Sequence, residues 1–219
     1  MVRALPLVLI ALCASCDTFS SPSPAVVADG GGDGATDAGT DADASLSAEG
    51  GTDAAPLLPR RVFVTVAVFD GRLMYAGKSG IEGADAACNA EADDARLGAR
   101  FKAWLSVPGA KAPGRFTVPA RDIELPGGEH VAKGFSDLVN MGPRTPIAQT
   151  AKKAPVAATA SVYTGTDVTG DASANHCDNW TSPTGLGTYG LPSTKDLWTD
   201  AAPAAVACTV LRQVYCFEE

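Results

Sequence analysis

Hydrophobic and polar positions divide the chain into three zones. An apolar run covers residues 4–12, almost no large apolar side chain occurs over 17–59, and apolar positions return from Arg60 onward. Residues 62–69, Val62-Phe63-Val64-Thr65-Val66-Ala67-Val68-Phe69, are a nearly unbroken β-branched run, which predicts a strand buried on both faces. Asp70-Gly71 is a hairpin-turn signal, so Leu73-Met74-Tyr75 is expected as the returning strand. Helical spacing follows: Ala84, Ala87, Cys88, Ala92 and Ala95 form one small-residue face of a helix over 81–97. Glu82 and Asp85 suit its first turn through the helix dipole, and Gly98 suits the position after its end. Small side chains permit close approach to a sheet, and Cys88 on that face points inward.

Beyond the helix the pattern is more broken. Phe101-Lys102-Ala103-Trp104-Leu105-Ser106 alternates and predicts a strand, whereas 107–160 is rich in Pro and Gly with weak periodicity. A hairpin around Pro126-Gly127-Gly128 and a short helix over 135–139 are expected within it. Residues 161–166 predict another strand, 167–175 a polar loop, and 181–196 a loop rich in Gly, Thr and Ser. Residues 209–215 contain Val210, Val214 and Tyr215 and no turn residue, and predict a terminal strand. Seven extended residues at ~3.3 Å each separate Cys208 from Cys216 by well over the roughly 7 Å that a disulfide allows between Cα atoms. Their partners are therefore Cys88 and Cys177, in an order that spacing alone leaves open. The terminal strand closes the domain, and the 81–97 helix is the element to which it should be bridged.

Charge sharpens the division. The formal net charge is −8, yet residues 17–59 hold eight acidic and no basic residues, whereas 60–219 hold seventeen acidic and sixteen basic. The folded zone is near neutral and has no basic stripe, so nucleic acid is not an expected partner. A stretch as poor in apolar residues as 17–59 cannot offset its ordering entropy and is expected as a disordered acidic Gly/Ala/Asp tether. Residues 1–15, with Arg3 before the apolar run, read as an export signal too short to span a bilayer. Ala14-Ser15-Cys16 resembles a bacterial lipobox, whose cysteine takes a lipid and becomes the mature N-terminus. Cysteine arithmetic agrees: removal of the signal leaves five, and acylation of Cys16 leaves four for two bridges. The expected organisation is a signal peptide over 1–15, a lipid-anchored linker over 16–59 and one domain over 60–219. The expected location is the bacterial cell envelope, with the membrane as partner through the N-terminal lipid.

The order of parts resembles a C-type-lectin-like domain, and within that superfamily the endostatin-like members. The resemblance rests on Gly83-Ala84-Asp85 with Cys88, Gly98-Ala99-Arg100-Phe101-Lys102-Ala103-Trp104-Leu105-Ser106, Tyr163-Thr164-Gly165-Thr166, Cys177-x-x-Trp180, Trp198-Thr199-Asp200 and the closing Cys208 and Cys216. With the lipobox, the whole is similar to an uncharacterised family of bacterial envelope lipoproteins. The resemblance implies an α+β, C-type-lectin-like fold: a mixed antiparallel sheet, one main helix, long irregular loops and two nested disulfides. It pairs Cys88 with Cys216 and Cys177 with Cys208.

The resemblance also invites a calcium site. Asp167, Asp171, Asp178 and Asp200 are the candidate oxygens, but Thr199 stands where such lectins carry an asparagine whose amide chelates both metal and sugar, so no metal or other cofactor is assigned. Zinc is not expected from His130 and His176, since exported cysteines favour disulfides. Gly-x-Ser-x-Gly, His-Glu-x-x-His and phosphate-loop motifs are absent from the sequence, which therefore reads as a binding protein rather than an enzyme. Trp104 and Trp198 are expected in the core, and Trp180, beside irregular loops, is the candidate ligand-binding residue. The expected function is recognition of a carbohydrate or protein ligand through loops 107–160 and 167–196. The alternatives are a structural envelope protein working through protein contacts and, behind it, a hydrolase.

Overall fold

The computed structural model describes residues 57–116 and 120–219. The export signal, Cys16 and nearly all of the acidic linker lie outside the described residues. The first half contains strand β1 (Arg60–Val64), helix α1 (Gly80–Asp94), β2 (Phe101–Ala103), β3 (Ile123–Glu124), β4 (His130–Ala132) and α2 (Phe135–Met141). The second contains β5 (Val162–Tyr163), the single turn α3 (Cys177–Trp180), β6 (Leu186–Gly187), β7 (Tyr189–Gly190), β8 (Val206–Ala207) and β9 (Gln213–Glu218). Seven strands form one curled mixed sheet in the order β4-β3-β1-β9-β5-β7, with β2 also on β9, while β6 and β8 pair separately.

β9 is the organising strand. Its residues 215–217 pair antiparallel with β1, Val62 opposite Phe217, and 216–218 pair antiparallel with β2, Ala103 opposite Cys216. A strand has two edges, so β1 and β2 flank it, and β5 joins in parallel at Gln213 and Val214 on the β2 side. Parallel pairing recurs between β1 and β3, so the sheet is mixed, with four antiparallel and two parallel pairings. Side-chain alternation on these strands feeds two cores. Phe63, Val214 and Cys216 pack with the small face of α1, including Ala84, Ala87, Cys88 and Ala92. Val62, Val64, Tyr215 and Phe217 face the second core with Trp104, Leu138 and Trp198. Gly83 permits the tight seating of α1, since a Cβ there would lie 2.0 Å from the Leu73 carbonyl.

Both disulfides follow the expected pairing. Cys88–Cys216 joins α1 to β9 with Cα atoms 5.5 Å apart, and Cys177–Cys208 joins α3 to the turn after β8 at 5.7 Å. The hairpin around 126–128 forms between β3 and β4, and the short helix is present as α2.

Several local expectations are corrected. The run 62–69 is a strand only to Val64; Val66 and Val68 are exposed, because the chain turns where the Glu91 carboxylate accepts the backbone N–H groups of Val66 and Ala67. Leu73-Met74-Tyr75 is not a returning strand: Leu73 has φ +47° and is buried, and Tyr75 bridges only to Lys78. α1 ends at Asp94 rather than Leu97, followed by Arg96 with φ +56°. The strand expected at 101–106 ends at Ala103, and that at 161–166 keeps only Val162 and Tyr163. The terminal strand begins at Gln213, not Thr209, since Val210 N–H donates to the Ala207 carbonyl in a turn. The cysteines at 208 and 216 are thus kept apart by a turn and half a strand rather than by seven extended residues. Among the described residues, no helix is long and apolar enough to cross a membrane.

Candidate functional site

The four candidate aspartates do not converge. Asp167 folds back on its own loop, its Oδ1 accepting from Thr169 N–H at 2.9 Å, Thr169 Oγ1 at 2.6 Å and Asp171 N–H at 3.0 Å. Asp171 is paired with Lys111. Asp200 lies near Asp167: burial pushes its carboxyl up, an N–H from Ala202 opposes the rise, and the Asp167 charge adds to it. Asp178 is exposed on the α3 turn. Among the described residues no three His, Cys, Asp or Glu side chains are grouped to hold a metal ion. Thr199 is buried; its hydroxyl accepts from Trp104 Nε1 at 3.2 Å and its carbonyl accepts from Thr164 Oγ1 at 2.5 Å.

Trp180 lies in the core and not on the loop surface. It is fully buried, its indole N–H donates to the Ser106 carbonyl at 3.1 Å, and its ring packs 5.3 Å from that of Tyr163. The reason is α3 itself: Cys177, Asp178, Asn179 and Trp180 all have positive φ, between +50° and +63°. They form one left-handed turn, closed by Trp180 N–H to the His176 carbonyl at 2.8 Å. That turn directs Trp180 and Cys177 inward and leaves Asp178 and Asn179 outside. Trp104 and Trp198 are buried as expected, their rings 5.3 Å apart.

Buried carboxyls elsewhere have structural partners. Burial pushes Asp85 up, against the pull of Arg115 at 2.6 Å and of the Ala103 N–H at 2.8 Å. Burial likewise pushes Glu91 up, although it accepts from Val66 and Ala67 at 2.8 and 2.9 Å. Both side chains tie α1 to neighbouring backbone. A depression of about 300 Å³ beside Glu91 therefore has both its acids engaged, Glu91 by backbone N–H groups and Asp94 by Lys152 at 2.5 Å.

Exposed apolar and charged side chains come together in a groove where the two irregular regions meet, with Arg144 paired to Asp137 at 3.5 Å. α2 ends at Met141, and Gly142 takes φ +71° while its N–H donates to the Leu138 carbonyl at 3.0 Å. A Cβ at Gly142 would stand 3.2 Å from the Lys195 carbonyl and 3.9 Å from the Trp198 ring, so glycine lets the loops 142–144 and 191–198 approach. The second loop is held by Leu191 N–H to the Leu197 carbonyl at 2.8 Å and Thr194 N–H to Leu191 at 3.1 Å. Between them lies a hollow of about 530 Å³ lined by Met141, Arg144, Lys195 and Asp196. An adjoining one of about 220 Å³ shares Met141 and Lys195 and reaches Val168 and Trp198. Met141 is 79% exposed and Val168 61%. Sequence reasoning located the loops but missed these residues; the available signal was a methionine followed by Gly142-Pro143 at the end of a short helix.

The chain matches no protein-family model and no curated protein sequence.

Proposed function

We propose that this protein is an envelope-anchored recognition lipoprotein whose C-type-lectin-like domain binds a protein segment in the groove between loops 139–144 and 195–199. The observation that carries the reading is the groove itself: an exposed, adaptable Met141 and Val168 beside Arg144, Lys195 and Asp196, above a packed Trp198 floor. Unbranched methionine suits surfaces that mould to a protein partner, and charges of both signs set register. A glycan site would draw on an exposed aromatic ring, whereas Trp104, Trp180 and Trp198 are all buried. The lectin-like assignment is supported by the first-to-last and middle-to-middle disulfide order and by the central position of β9. The lipid anchor is supported by Ala14-Ser15-Cys16 and by the pairing of the other four mature cysteines with one another.

The test is a photo-crosslinking amino acid at Met141, with Leu186 as an exposed control outside the groove, in cells of the native host. A discrete protein adduct at 141 that is absent at 186, and lost on Lys195→Glu, is the expected result. Saturable binding on a glycan array, in calcium or in chelator, together with no adduct at 141, would overturn the protein-ligand reading. Intact mass of the membrane fraction tests the anchor separately, with an acylated Cys16 expected.

A further inference from the structure

Met141, the last residue of α2, is 79% exposed, more than any other large apolar side chain described from β1 onward. It lines both hollows of the groove, as Lys195 does. Gly142 follows at φ +71° and ends the helix, so no further turn of α2 covers the side chain. Nor does Met141 belong to either hydrophobic core. A thioether so placed is open to two-electron oxidants, and the product is a different kind of side chain. Methionine is apolar and flexible, whereas its sulfoxide is polar and carries an acceptor oxygen. The larger hollow already holds two cationic donors for such an oxygen, Arg144 and Lys195. Met74 is an internal comparison: it is 54% exposed but lines neither hollow.

We infer that Met141 is a site of reversible oxidation by peroxides, and that its sulfoxide closes the groove to the protein partner. The inference rests on the groove being the binding surface proposed above. In the forward step the thioether sulfur attacks one oxygen of hydrogen peroxide, an S–O bond forms, the O–O bond breaks and water leaves. Sulfur loses two electrons and the peroxide gains them. A methionine sulfoxide reductase reverses the step at the expense of a thiol reductant. Oxidation makes the side chain polar where the partner would bury a thioether, which costs about tenfold in affinity. Because Met141 stands outside both cores, the same change leaves the fold undisturbed.

The test exposes the full-length chain in native-host cells to graded hydrogen peroxide and reads oxidation of Met74 and Met141 by peptide mass. A photo-crosslinking amino acid at Val168, which lines the smaller hollow, keeps the methionine and reports occupancy of the groove. Met141 is expected to convert ahead of Met74, with the adduct at 168 falling about tenfold as it does so. Methionine sulfoxide reductases A and B, one for each epimer, are expected to restore the adduct. The urea midpoint of the oxidised protein is expected to stay unchanged. Met74→Leu is expected to keep the peroxide sensitivity, and Met141→Leu to abolish it, whatever adduct yield that variant starts from. Met74 converting first, an adduct unchanged when residue 141 is fully sulfoxide, or an adduct still peroxide-sensitive in Met141→Leu overturns the inference. A fallen urea midpoint does so too, since loss of the adduct would then report unfolding. No adduct before oxidation refutes the groove as a binding surface instead, and the order of conversion with its reversal by the reductases still decides whether Met141 is the oxidation site.

Discussion

Replacing Cys88 and Cys216 together by alanine cuts the covalent tie between α1 and β9 that spans 128 residues. The chain-entropy treatment gives this loop a stabilisation of about 5 kcal/mol and the 31-residue Cys177–Cys208 loop about 4 kcal/mol, both upper estimates. The loops are nested, so the inner bridge shortcuts 31 of the 128 residues of the outer one; through the logarithm this trims the outer contribution by only about 0.2 kcal/mol. A second effect separates the two. Cys177 belongs to four consecutive residues held in the left-handed region, a conformation costing roughly 1–2 kcal/mol for each residue other than glycine. Loss of the inner bridge allows that turn to relax and returns part of the strain, so Cys177→Ala/Cys208→Ala should lose less than 4 kcal/mol. Cys88 and Cys216 lie in regular elements and have no such strain to recover. All four cysteines are buried, so the cavity terms are comparable. The expected order is that Cys88→Ala/Cys216→Ala is the more destabilised by at least about 1 kcal/mol, against a typical total of about 5–15 kcal/mol. Urea unfolding of the oxidised protein and the two double variants measures this as midpoint and slope. An inner-bridge variant as unstable as the outer-bridge variant, or more so, would refute the loop-and-strain reasoning.

Three further outcomes are expected. Trp180→Ala should lose about 3–5 kcal/mol in the same assay, as a buried indole does; a loss below 1 kcal/mol would contradict its place in the core. Gly142→Ala should destabilise by about 1–2 kcal/mol, because φ is +71° and the new Cβ meets the Lys195 carbonyl at 3.2 Å; an unchanged urea midpoint would count against the tight approach of the two loops. For Asp85, burial raises the folded-state pKa above the unfolded one, so folding takes up protons there. The penalty is fully present above the raised folded value and is relieved as the pH falls toward the unfolded value near 4. The stability of the wild type relative to Asp85→Asn should therefore rise as the pH drops from 7 toward about 4, and a fall over that window would sink the assignment.

What the sequence by itself determined was local. Period 3.6 over Ala84, Ala87, Cys88 and Ala92 identified the buried face of α1, and Pro126-Gly127-Gly128 marked the β3–β4 hairpin. The spread of acidic residues set the near-neutral zone from Arg60 onward apart from the acidic stretch before it. These signals are carried by neighbouring residues, where side-chain spacing and turn chemistry act directly on the backbone. The tertiary structure decided the rest. Val66 and Val68 look as strand-like as Val62 and Val64, but the Glu91 carboxylate, 25 residues from Val66, captures the backbone and turns it out of the sheet. Trp180 reads as a loop tryptophan until a left-handed turn and the Cys177–Cys208 bridge direct it onto the Ser106 carbonyl. The groove is composed of residues that are unremarkable in order along the chain. Hydrophobic periodicity says which way a side chain faces within its element; which distant loops meet depends on long-range packing around β9 that no local pattern encodes.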